Sequence, residues 1–226
     1  MISVAIDGPA GAGKSSVAKA AAKNLGFIYV DTGALYRAVG LFAVSHGLDP
    51  KDADAVPAMI ESEHPEISIR FLPDGQHVFL NGQDVESQIR TPQISMAASS
   101  VSAIPAVRDY LFDLQRDLAK KNNVIMDGRD IGTVVLPNAQ VKIFLTASPE
   151  ERARRRMLQL REKGDETPFE KLLDDIKKRD EQDMNRPIAP LRAAHDAFVL
   201  DSSNLSFEEV CAKVEALIRE KTNIGD

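Results

Sequence analysis

The sequence predicts an α/β fold built on a doubly wound, five-stranded parallel sheet, and three observations predict it. Five short apolar runs, residues 2–6, 27–30, 124–126, 141–145 and 197–200, read as buried parallel strands, because strands covered on both faces look continuously apolar. Helical patterns separate most of these runs, the alternation that places helices on both faces of a parallel sheet. Asp7, Asp31, Asp127 and Asp201 stand at or just past the ends of four runs, where such sheets collect their ligands.

The first run opens into "AIDGPAGAGKSS", residues 5–16, in which Gly8 through Gly13, Lys14 and Ser15 fit the spacing GxxxxGK[ST]. A strand before it and a helix after it supply the context this motif requires. Backbone N–H groups of Gly8, Pro9, Ala10, Gly11, Ala12 and Gly13 (proline excepted) would wrap a polyphosphate, with Lys14 on its β and γ groups and Ser15 on Mg²⁺. Ser16 could donate to the α phosphate. The helix from about Lys14 to Asn24 carries Ala18, Ala20, Ala21 and Ala22, which allow close packing on a sheet, and Gly26 stops it.

After the second run, "YVDTGALYRAVG" places Thr32, Tyr36 and Arg37 where a hydroxyl and a guanidinium could meet a second anion. Residues 67–85 break the pattern with alternating runs joined by "PDG" and "NG" turn signals, the mark of a small antiparallel insertion. The third run opens into "VIMDGRDIGTVV". Asp127 at that strand end can hold Mg²⁺ through water, and Arg129 and Asp130 project toward the same crevice. Ser148 and Ser206 each precede a glutamate by three residues, Glu151 and Glu209, the spacing of a capping box that anchors two helix starts. Between them, residues 150–187 are densely charged at helical spacing and broken by "KGDETP", so they read as two helices joined at a tip. Arg152, Arg154, Arg155, Arg156 and Arg161 precede the break; Arg179, Asp183 and Arg186 follow it. Such a hairpin would serve as a lid that brings arginines onto a polyphosphate and expels water.

A chain of 226 residues suits one well-cored domain with a small insertion. The formal net charge of −6 argues against coating nucleic acid or a membrane surface. Cys211 is the only cysteine, which excludes an intrachain disulfide and fits a reducing cytoplasm. The opening "MISVAIDG" lacks a basic leader, and no run of about 18 apolar residues occurs. His46, His64, His77 and His195 have no ligand-like spacing.

Phosphoryl transfer is mostly positioning and charge stabilisation, so the acceptor decides the residue list. An alcohol would call for a positioned base, and water for an orienting side chain. An acceptor phosphate needs arginines to offset the repulsion of two anions, and Arg37, Arg129 and Arg186 are available. No NKxD guanine-reading tetrapeptide occurs, which weighs against a GTPase switch.

Over nearly its full length the chain resembles the bacterial cytidylate kinases, a branch of the nucleoside monophosphate kinases. The resemblance rests on "IDGPAGAGKSS", "DTGALYRA", "IRTPQISMAASSVSAIPAVR", "DGRDIGTVV" and "RRMLQL" followed by "RDEQDMNRPIAPL". It implies a P-loop fold with strand order 2-3-1-4-5, a core (about 1–35, 95–150 and 188–226), a monophosphate-binding region (about 36–94) and a lid (about 151–187). It implies ATP as donor, Mg²⁺ as cofactor, CMP and dCMP as acceptors with UMP poor, and a monomer. Thr32, Arg37, Arg129 and Arg186 would grip the acceptor phosphate, Ser99, Arg108 and Asp130 would read cytosine, and Arg179 and Asp183 would hold the pentose. Arg156 and Arg161 are the lid arginines expected at the transferred group. Family members commonly have serine where this chain has Thr32.

Overall fold

The computed structural model describes residues 1–162 and 164–224; Lys163, within the predicted lid break, and Gly225 and Asp226, at the end of the predicted core, lie outside the described residues. The chain forms two compact units, Met1–Tyr29 with Lys121 onward, and Val30–Lys120.

In the first unit, β1 (Ser3–Asp7) lies between β6 (Val124–Gly128) and β7 (Val141–Thr146), and both pairings are parallel, with Ser3 opposite Val124 and Val4 opposite Val141. β8 (Phe198–Asp201) adds in parallel to β7, and β2 (Ile28–Asp31), where the chain passes into the second unit, closes the order β2-β6-β1-β7-β8. In chain order of these five strands this is the predicted 2-3-1-4-5. The strands end one or two residues later than the apolar runs, because Asp7 and Asp201 still pair in the sheet. β8 departs from the expected buried strand: as an edge it leaves Phe198 and Val199 half exposed.

Two helices cover this sheet's core of Val4, Ile6, Ile125, Ile143 and Leu145. α1 (Lys14–Leu25) buries Val17, Ala18, Ala21 and Ala22, small side chains that bring it close to β6 and to α8 (Phe207–Thr222). Gly26, at φ 68°, closes α1 in the left-handed conformation that glycine adopts without strain. α8 starts in a full capping box, Ser206 and Glu209 each satisfying the other's backbone N–H, and buries Cys211 in its apolar face. The charged hairpin is α6 (Pro149–Arg161), capped by Ser148, and α7 (Phe169–Asn185), packed on each other.

The second unit has its own core. α2 (Thr32–Ser45) buries Ala34, Leu35, Ala38, Val39 and Phe42, and packs on α4 (Pro92–Val101) so closely that a side chain at Gly40 would meet Ala97 at 3.0 Å. α3 (Ala55–Glu63) and α5 (Pro105–Lys121) add Val56, Met59, Ile60, Val107 and Leu111. The predicted antiparallel insertion is a three-stranded sheet of β3 (Ile67–Leu72), β4 (Gly75–Leu80) and β5 (Gln83–Asp84).

Candidate active site

The glycine-rich loop leaves β1 through Gly8, where any Cβ would lie 1.9 Å from the Leu145 carbonyl oxygen. Only glycine lets the backbone turn there. Gly13 caps α1 at φ 90° with no side-chain cap, so the helix N-terminus, whose N–H groups favour an anion, follows directly on the loop. Lys14, 5% exposed, donates from Nζ to the Pro9 carbonyl at 2.8 Å. Burial pulls its pKa down to about 7; Arg129 pulls the same way, and Asp127, Asp7 and Asp183 oppose it.

Carboxylates organise the neighbouring strand ends. Ser15 Oγ donates to Asp127 Oδ2 at 2.7 Å, and Tyr29 takes the other oxygen at 3.0 Å. Asp7 accepts the backbone N–H groups of Ile131 and Gly132, each at 2.7 Å. Burial pushes its pKa up to about 6 against the pull of those two hydrogen bonds. Both amides open the π-helical turn Ile131–Val135, directly after Arg129 and Asp130, so the residue that leads into the loop also fixes the turn that follows β6.

Arg129 donates to Asp183 of α7 at 2.8 Å, and Arg186 lies 3.5 Å from Asp130. Arg179 is half buried one helical turn before Asp183. Thus Lys14, Ser15, Asp127, Arg129, Asp130, Asp183 and Arg186 gather in the first unit around the ends of β1 and β6. Arg156 and Arg161 are exposed on α6.

Arg152 occupies a different position from its neighbours. Only 2% exposed, it donates to both oxygens of Asp180 on α7, to Ala147 and to the Ala10 carbonyl of the loop. Its guanidinium therefore fastens α6 and α7 together beside the loop. Arg155 is tied to Ser202 and Glu151.

The second unit holds Thr32, Arg37, Ser99 and Arg108. Asp31 caps α2, Oδ1 accepting from Ala34 N at 3.1 Å, while its Oδ2 takes Arg90 Nη1 at 2.7 Å and faces Arg37 Nη1 at 3.6 Å. Burial would raise this carboxyl, but Arg37 and Arg90 outweigh it and hold the group below the usual carboxylate range. Thr32 is buried at the first position of α2. Arg108 is buried over the Tyr36 ring, 5.7 Å from its centre, and Ser99 is half buried on α4.

Sequence reasoning missed the anchoring roles of Asp7, Tyr29 and Asp180 and did not single out Arg90 or Gln76. An acid immediately before the loop's first glycine is a local signal for Asp7. No local signal points to Arg90, which is 59 residues from Asp31.

The model of the cytidylate kinase family matches residues 4–220. A cytidylate kinase of Caldicellulosiruptor bescii is 54% identical over 213 residues, 94% of this chain and 93% of that one. A cytidylate kinase of Carboxydothermus hydrogenoformans is 49% identical over 223 residues, 98% and 99% of the two chains. Among solved structures, an uncharacterized protein from Eubacterium ventriosum matches with a TM-score of 0.53 at 13% identity, over 96% of this chain and 98% of its own, a likeness of fold alone.

Proposed function

Because this chain belongs to the cytidylate kinase family, we propose that it phosphorylates CMP and dCMP to CDP and dCDP with ATP as donor. The observation that carries the reading is the double tie between the glycine-rich loop and the strand end after β6: Ser15 on Asp127, and Asp7 on Ile131 and Gly132. These bonds hold the phosphate cradle in fixed relation to Arg129 and Asp130, as in-line transfer between two bound phosphates demands.

In this reading the loop's N–H groups and Lys14 bind the triphosphate, and Ser16 donates to its α phosphate. The Ser15 hydroxyl and Asp127 carboxylate, 2.7 Å apart at the start of α1, are hard oxygen donors of the kind Mg²⁺ takes, Ser15 directly and Asp127 through water. An ion held there with ATP would supply charge neutralisation for the triphosphate. Thr32, Arg37, Arg129 and Arg186 bind the acceptor phosphate and offset its repulsion of the donor. Asp130 accepts from the cytosine amino group, Ser99 and Arg108 donate to N3 or O2, and Arg179 and Asp183 bind the pentose. Residues 151–187 act as the lid, 36–94 as the monophosphate-binding region, and the rest as core. With Arg152 committed to Asp180 and the loop, Arg156 and Arg161 are the lid arginines assigned to the transferred group.

The test is ADP formation at fixed ATP with CMP, dCMP, UMP, AMP and shikimate as acceptors. CMP and dCMP should give the highest kcat/KM, with UMP poor. Slow ATP hydrolysis indifferent to every monophosphate would instead favour a nucleotide switch, and a preference for shikimate would favour a small-metabolite kinase.

A further inference from the structure

The inserted three-stranded sheet does more than enlarge the second unit. Gln76, on β4, hydrogen-bonds both backbone polar groups of Asp31: its Oε1 accepts from Asp31 N at 2.8 Å and its Nε2 donates to Asp31 O at 3.3 Å. Arg90, in a 3₁₀ turn after β5, donates to Asp31 Oδ2 at 2.7 Å and is held from behind by Glu86, which accepts from its Nε at 2.7 Å and also pairs with its Nη2. Asp31 is therefore gripped through backbone and side chain by two residues far from it in sequence. Its carboxylate in turn faces Arg37 at 3.6 Å. A Cβ at Gly33 would crowd Asp31 Oδ1 at 3.1 Å and reach only ordinary contact, 3.6 Å, with Arg37 Nη1.

From this geometry we infer that Arg90 and Gln76 are positioning residues for the acceptor phosphate, acting through Asp31 on Arg37. The inference rests on the assignment of Arg37 to that phosphate. The physical reason is division of labour around one carboxylate. A lone Asp31 facing Arg37 would draw that guanidinium into a full ion pair and away from a substrate. Arg90 takes the carboxylate oxygen at hydrogen-bond distance, which leaves Arg37 oriented by the field of Asp31 but with its donors uncommitted to it. Gln76 fixes the height of Asp31 at the end of β2, and so the start of α2, on which Arg37 sits.

The experiment is a steady-state and binding comparison of Arg90→Met, Arg90→Lys, Gln76→Leu and Arg37→Met, alone and with Arg90→Met combined with Arg37→Met. Arg90, with 40% of its side chain exposed, is the safer substitution for folding. Arg90→Met should raise KM for CMP about tenfold while leaving KM for ATP unchanged, the size expected for one lost charge-assisted hydrogen bond. Arg90→Lys should recover part of the loss, because an ammonium restores charge at Asp31 but cannot span Asp31 and Glu86. Gln76→Leu should shift KM in the same direction by less. Cytidine, which lacks the phosphate, should bind all variants as it binds the unsubstituted enzyme. On the Arg37→Met background, Arg90→Met should add less than about twofold, as coupled residues do. A CMP KM within about twofold of the unsubstituted enzyme in Arg90→Met, an equal rise for ATP, or a full effect persisting without Arg37 overturns the inference. The reading of the site itself fails separately, if the unsubstituted enzyme binds cytidine as tightly as CMP or does not phosphorylate CMP.

Discussion

In the unit that carries the glycine-rich loop, Asp7, Lys14, Asp127 and Arg152 are 4%, 5%, 4% and 2% exposed, and backbone or hydroxyl groups satisfy most of their bonding. In the other unit, the side chains of Arg37 and Arg90 remain 23% and 40% exposed and converge on the single carboxylate of Asp31. The first arrangement is dehydrated and held by hydrogen bonds, which on the proposed assignment would lessen reorganisation during transfer. The second keeps Arg37 partly in water, 3.6 Å from a carboxylate oxygen that Arg90 already occupies, so on the proposed assignment a phosphate dianion can compete for Arg37. On that assignment the dehydrated cluster serves the donor's cradle, and Arg37 is a more exchangeable cation than Lys14.

Lys14→Met tests the rigid side most severely. Removing a preorganised cation from developing charge should lower kcat about 10²–10³-fold, read in a coupled ADP assay. A variant that raised KM for ATP while keeping kcat would break the comparison, because the lysine would then bind ground state and transition state alike. Arg37→Met should act on the exchangeable side, raising KM for CMP about tenfold to a hundredfold with KM for ATP unchanged. Asp130→Asn should erode the preference for CMP over UMP by about 1–3 kcal/mol, since uracil presents an acceptor where cytosine presents the amino group. Equal relative kcat/KM values for the two acceptors before and after substitution would remove Asp130 from base reading. The smallest effect concerns Lys14 itself, whose pKa burial lowers to about 7. At pH 8 the free amine is mostly neutral, and a polyphosphate beside it favours the ammonium form, so ATP binding should take up a fraction of a proton. At pH 6 the group is already charged and uptake from it should vanish; calorimetry in buffers of different ionisation enthalpy separates the two cases.

Much of the first unit is legible locally. The loop motif, the alanines of α1, Gly26 and the capping residues Ser148 and Ser206 are each encoded within a few positions and appear where expected. The order of the five strands follows from the same pattern once the family resemblance is added. What escapes the sequence is pairing across long separations. The approach of Arg152 to Ala10, or of Gln76 to Asp31, depends on backbone carbonyls and amides, which carry no residue identity. Arg152 illustrates the difficulty: in a run of arginines at helical spacing, only the buried face of α6 tells it from Arg154 and Arg156. The half-exposed β8 is another case, since an apolar run of four residues reads alike at the centre of a sheet and at its edge.

The place of β1 has a consequence for the order in which the molecule is made. Although it is translated first, both its neighbours come from the far half of the chain: Ser3 pairs with Val124 and Val4 with Val141. Residues 30–120, by contrast, enclose a contiguous core of their own. During synthesis the segment that will carry the phosphate loop waits unpaired while the later-translated middle of the chain can condense, and non-local strand pairing is the slow step of such folds. Proteolysis of ribosome-bound chains halted while β7 is still inside the exit tunnel, compared with longer chains from which β7 has emerged, would read that order. Protection of residues 30–120 should come first, and protection of the amino-terminal strand only once β7 has left the exit tunnel.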